Sequence, residues 1–192
     1  MSAASYTQLD ESGVRVRGAK WIPAAEYTVK LEGASLRGYR SICIAGVRDP
    51  RVLANIDLII EESREITENY FAHLQDRFTL SVKVYGKNAV LGPFEPTPWV
   101  EGHEICVLID VVAESQDLAN SVCSFVSSTM SHHGFPGRLS TAGNLAIPFS
   151  PGRAIPIGEV FEFTIWHAWP LKDPGEPFRT SVVEINGGGE RL

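Results

Sequence analysis

The chain has 192 residues, 44 % hydrophobic and 21 % charged, a length and balance suited to one globular domain of generous size. Its 23 acidic against 17 basic residues give a formal charge of −6 without a basic run, so the electrostatic footprint that nucleic acid demands is missing. No apolar stretch approaches a bilayer span, no basic amphipathic helix suits a membrane surface, and residues 1–20 lack the layout of a secretory signal.

Cys43, Cys106 and Cys123 are odd in number, lack CxxC spacing and lie in apolar runs. Reduced thiols packed in an interior are expected, and with them a reducing, cytoplasmic location.

Residues 1–25 read as a loosely ordered lead-in with one short strand, "VRVRG" (14–18). "EYTVKLEGASLRGYRSICIAG" alternates as two strands, with Gly33 and Gly38 marking a turn or bulge. Asp49 and Pro50 open a helix as N-cap and first residue. Val52, Leu53, Ile56, Ile59, Ile60, Ile66 and Tyr70 carry it to about His73 at helical spacing. "FTLSVKVYG" (78–86) alternates like a half-buried strand. After the Pro-rich "GPFEPTPWVEG", "EICVLIDVVA" is apolar enough for a central one. Ser115 caps a helix from Gln116 to about His133. A glycine- and proline-rich loop follows, then a strand over 158–169 and a tail ending "NGGGERL".

The resulting order, ββα-ββα-β, implies an α+β fold: a mainly antiparallel sheet with two helices on one face. The expected division is a lead-in over 1–25, one domain over 26–180 and a tail over 181–192. "LAN" opens both helices at 53–55 and 118–120, a faint internal echo. The second sheet face is left needing cover, by loops or by a partner.

From Leu118 to Gly152, Arg138 is the only Asp, Glu, Lys or Arg. A helix with one face in a core normally carries charge on the other. Here the outer positions are assigned to Asn120, Ser121, Ser124, Ser127, Ser128 and Ser131, small enough for another chain or domain to approach closely; the alternative is a short helix tucked under its own loops.

No phosphate-binding glycine loop, zinc-protease motif, nucleophile elbow or zinc-spaced Cys/His set occurs, and no metal is assigned. "SHHG" offers His132 or His133 as one metal ligand or a general base, against the common role of C-terminal histidines as partners of the last carbonyls. His167, alternating with aromatic residues, reads as structural, and His103 is uninformative alone. In "PGRLSTAGN", Arg138 matches a carboxylate bidentately, Ser140, Thr141 and Asn144 add donors, and Gly137 and Gly143 allow close approach. An internal ion pair, an anionic ligand and a solvated surface position are all open to Arg138. "VYGKNAV" places Tyr85, Lys87 and Asn88 at a strand end, where ligand loops are common.

"YTVKLEGASLRGYRSICIAGVRDP", "VKVYGKNAVLG" and "PGRLSTAGNLAIPFSP" together resemble the C-terminal part of the AtuA (acyclic terpene utilisation) family, over roughly residues 6–180. "ESGVRVRGAKWIP" looks like the junction before that part. The resemblance implies that the family's N-terminal α/β domain is a separate polypeptide here, and this chain the small subunit of a heteromeric complex. A larger AtuA N-terminal-type subunit and a small AtuA-related protein are the implied partners. The implied activity is a hydro-lyase (hydratase or dehydratase) acting on a branched or small carboxylic acid or its CoA thioester. No cofactor is named and no catalytic residue carries over by motif. From the residues, Arg138, Thr141, Asn144, Lys87 and Asn88 would bind the carboxylate, and His132 or Tyr85 would move a proton. The alternative is a non-catalytic structural subunit that stabilises a catalytic partner.

Overall fold

The computed structural model describes residues 4–22, 24–97, 99, 102–139, 142–149 and 152–183. The chain forms two compact units. One is Ala34–Phe163; the other combines the residues up to Gly33 with those from Thr164 onward. This grouping cuts across the sequence-based division, because two long strands each contribute to both units.

In the second of these units, β1 (Ser5–Gln8) and β2 (Val14–Arg17) pair antiparallel, with Ser5 opposite Arg17. The expected short strand therefore has a partner inside the lead-in. Asp10 closes the hairpin by accepting from the Ser12 amide at 2.9 Å, and backbone hydrogen bonds from Ser12 and Gly13 hold its carboxyl below the usual range.

The larger unit is an α+β sandwich. β3 (Tyr27–Val47) leads into α1 (Pro50–Ala54) and α2 (Ile56–Tyr70); β4 (Phe78–Tyr85) and β5 (Ile105–Ala113) follow, then α3 (Gln116–His132) and β6 (Ile155–Leu171). The sheet order is β4-β5-β3-β6, so β5 lies between β3 and β4, and β3 between β5 and β6. This is the β-α-β-β-α-β plan of split β-α-β folds. β5 runs antiparallel to both neighbours, with Cys43 opposite Ile109 and Val82 opposite Ile109 on the other side.

Two expectations are corrected. The stretch expected to hold two strands is one 21-residue strand, β3. Gly38 does not turn the chain; it has φ of +151°, and a Cβ there would lie 2.4 Å from the Ala113 carbonyl oxygen. Glycine is present because β5 crosses too closely for a side chain. The first helix breaks at Asn55, whose φ of −114° and ψ of 12° leave the helical region. After α2 a short 3₁₀ turn, Ala72–Arg77, leads into β4.

Strict alternation makes the sheet two-faced. Along β5, Ile105, Val107, Ile109, Val111 and Ala113 are buried, joined by Cys43, Ala45 and Val47 of β3 and by Phe78 and Val84 of β4. Val52 of α1, Ile56 and Ile59 of α2, and Ala119, Val122, Cys123, Val126 and Met130 of α3 complete the same core. Two contacts hold α2 to α3: Tyr70 stacks on Phe125 at 4.4 Å, and Glu62 meets His133 at 2.5 Å. The opposite sheet face carries Arg40, Ile42, Ile44, Cys106, Leu108, Asp110 and Val112, all half-buried, with Arg40 bonded to Asp110 at 2.9 Å. No described helix is long and apolar enough to cross a membrane.

Burial pushes the Cys43 thiol up, partly offset by a hydrogen bond from Ser127 and the charge of Arg153. Burial, with the nearby Cys43 and Asp110, pushes Cys123 up to about 12. Both therefore stay protonated and unreactive in the folded chain. A thiol-reactive dye should label Cys106 alone in the native protein and all three cysteines in urea. Gly38→Ala should destabilise the chain by about 1–3 kcal/mol in urea unfolding, through the strained φ and the Ala113 clash.

Candidate functional site

The long neutral segment is explained first by α3 itself. Ser115 caps its start, accepting from the Leu118 amide at 3.3 Å. Its hydroxyls turn back onto its own carbonyls: Ser121 onto Asp117, Ser127 onto Ser124, Thr129 onto Phe125 and Ser131 onto Ser127, at 2.7–3.0 Å. Such bonds satisfy small hydroxyls without a partner protein.

Several of the assigned outer positions are not outside. Ser127 is fully buried and Ser131 nearly so, and the Arg153 guanidinium donates to the Ser131 hydroxyl at 3.2 Å. Asn120 accepts from Ser41, itself buried in β3, at 2.5 Å, and Gln116 donates to both. Much of the serine face is thus covered by the chain's own strands and loop.

The end of α3 explains the loop. The last carbonyls of a helix have no partner within it and must find one elsewhere. Asn144 supplies three bonds: its side-chain amide donates to the Met130 and His133 carbonyls, both at 2.9 Å, and its backbone amide donates to Ser131 at 2.7 Å. Arg138 donates from Nη1 to the His132 carbonyl at 2.9 Å and from Nη2 to the Ala142 carbonyl at 3.0 Å. Gly137, at φ of +84°, makes the turn that aims it. Arg138 meets no carboxylate among the described residues; its charge faces carbonyl dipoles at the negative end of α3. Its Nε is buried without a hydrogen-bond partner among the described residues.

The expected site residues consequently fall into separate groups. Arg138, Asn144 and the backbone of His132 gather at the end of α3, with the His132 ring exposed. Lys87 forms an ion pair with Asp57 in the first turn of α2. Asn88 follows it in a turn held by its backbone to Val84. Tyr85 ends β4 on the open sheet face, 46 % exposed. No described hydrogen bond or ion pair joins these groups. Thr141, like Ser140, lies outside the described residues. His167 packs edge-on to Trp169 at 6.2 Å.

Two clefts lie at this end of the larger unit. A cleft of about 240 Å³ is lined by Asp49, Arg51, Arg138, Ala142 and Asn144 among others. Asp49 there is occupied as the N-cap of α1, accepting from the Arg51 and Val52 amides. A second, of about 520 Å³, is lined by Gly46, Arg48, Tyr85, Gly86, Glu104, Cys106 and Ala146, with Val47 and Ile105 beneath. That volume is within the range of small-molecule sites.

Register builds the second cleft. Tyr85 pairs with Cys106, and Cys106 with Gly46, so the three make one row across β4, β5 and β3. Ala146 closes the row through two hydrogen bonds with Gly46, at 2.8 and 2.9 Å. Val47 pairs with Ile105, and the next residues outward, Arg48 and Glu104, both line the cleft at its rim. Neither was among the expected site residues. The signal for them was positional: each directly abuts a strong strand, where binding residues concentrate.

Among the described residues no group of three or more His, Cys, Asp or Glu could hold a metal ion. No protein-family model, curated protein or solved structure matches the chain. Asn144→Ala should lower stability by about 1–3 kcal/mol, because buried carbonyls of α3 lose their donors. Chemical denaturation of the variant checks this.

Proposed function

We propose that this chain is the small subunit of a heteromeric enzyme of the AtuA type, a hydro-lyase acting on a small or branched carboxylic acid or its thioester. Within that assembly its role is structural: it stabilises a partner that carries the chemistry. The partners envisaged are a larger AtuA N-terminal-type subunit and a small AtuA-related protein.

The observation that carries the structural role is the second face of the sheet, which is only half-buried. All three helices contribute to one core on the other side, while Ile42, Ile44, Leu108 and Val112 keep access to solvent. The other unit has its own apolar exposure, with Trp21 86 % and Trp166 71 % exposed. Apolar surface of this kind marks interaction sites. The residues first considered for catalysis argue the same way. Arg138, Asn144 and Lys87 spend their donors on the chain's own carbonyls and carboxylate, and His132 and Tyr85 stand in different groups.

Co-expression with the proposed larger subunit tests the reading. Native mass measurement should show a stable complex, and hydration of unsaturated acids should require both chains. Leu108→Glu and Ile44→Glu should leave this chain folded and abolish the complex. Full assembly and activity with both variants, or full activity of this chain alone, would refute the reading.

A further inference from the structure

The cleft at the ends of β3, β4 and β5 is not used by the structural role, yet it has the make-up of a ligand site. Its floor is the row Tyr85–Cys106–Gly46. Gly46 leaves space there: a Cβ at this position would approach only the Ala146 carbonyl, at 3.9 Å. Cys106 and the Tyr85 ring make the floor largely apolar. The wall is held by the paired bonds between Gly46 and Ala146, so the shape is set by backbone rather than by mobile side chains.

The rim carries one charge of each sign. Arg48 and Glu104 flank the paired positions Val47 and Ile105, both line the cleft, and both are exposed. No ion pair joins them, and neither has another ion-pair partner among the described residues. Two opposite charges lining one cleft and not bonded to each other are matched by a ligand that reaches both. A guanidinium takes a carboxylate in a forked pair. A carboxylate such as Glu104 only accepts, so it needs a donor group on the ligand and repels a second anion.

We propose that this cleft binds a small monocarboxylate bearing a hydrogen-bond donor, such as a short hydroxy acid. Arg48 holds the ligand carboxylate, Glu104 accepts from its hydroxyl, and Cys106 and Tyr85 line its hydrocarbon part. Dicarboxylates are rejected by Glu104. The neighbouring cleft at Arg51 and Arg138 is a poorer anion site: Arg138 already faces two carbonyls, and Asp49 lies in its wall.

The test is direct binding to the full chain alone, which makes it independent of whether the complex forms. The probes are 3-hydroxybutyrate, butyrate and succinate, read by calorimetry and by amide shifts of Gly46, Gly86 and Ala146. The expected order is 3-hydroxybutyrate, then butyrate, with succinate last. Arg48→Gln should weaken 3-hydroxybutyrate about tenfold or more, the scale of a lost charge-assisted bond. Glu104→Gln should weaken 3-hydroxybutyrate and strengthen succinate. Arg51→Gln should change nothing. Arg48 and Glu104 are exposed, and a thermal melt confirms that each variant is folded. Absence of saturable binding, succinate binding as tightly as 3-hydroxybutyrate, or binding lost in Arg51→Gln but kept in Arg48→Gln would each overturn the proposal.

Discussion

The end of α3 is the constraint on which much of this molecule depends. Four carbonyls there lack helical partners, and the helix is too deeply packed for water to serve them all. Asn144 answers three carbonyls and Arg138 a fourth. To bring Asn144 into place the chain must fold back under the helix, and that return carries Ala146 to Gly46. The bridge at Gly46 then walls the cleft beside Tyr85. One requirement for hydrogen bonds thus links the core helix, the long loop and the sheet end.

The second organising fact is the unequal treatment of the two sheet faces. Alternation along β5 buries every odd-numbered residue from Ile105 to Ala113 and leaves the even-numbered ones half-covered. Burial of the first set against α2 and α3 supplies the main driving force for this unit, at about 25 cal/mol per Å² of apolar surface. The second set gains little in the isolated chain. Arg40 and Asp110 pair on that face, so its polar groups are satisfied, while Ile42, Ile44, Leu108 and Val112 are left for a further surface to cover.

Much of the local structure was legible before any fold was known. Asp49–Pro50 and Ser115 are caps, and both helices start where these residues place them. The alternating stretches at 78–86 and 104–113 became β4 and β5 within a residue or so. The errors lie where glycine has two meanings. Gly38 reads in sequence as a turn or a bulge; the strand runs on through it without a turn, and glycine lets β5 pass close by. The break at Asn55 was hidden because the apolar spacing continues across it. The serines of α3 were open to two readings for a related reason. Neutrality left open a partner or the chain's own loops, and the second holds for Ser127 and Ser131, which are small to fit under Arg153 and the loop.

By itself the sequence determined the fold class, the strands β4 and β5 and the capped starts of α1 and α3. Those depend on capping and on periodicity among residues a few positions apart. It also determined that the segment around Arg138 is unusual in charge. What Arg138 does was decided by tertiary structure alone, because its partners at His132 and Ala142 are set by the path of the loop. The same holds for the presence of Arg48 and Glu104 at one cleft rim, 56 residues apart in sequence. Their placement there follows from the register of β3 against β5, and register is settled by packing across the whole sheet.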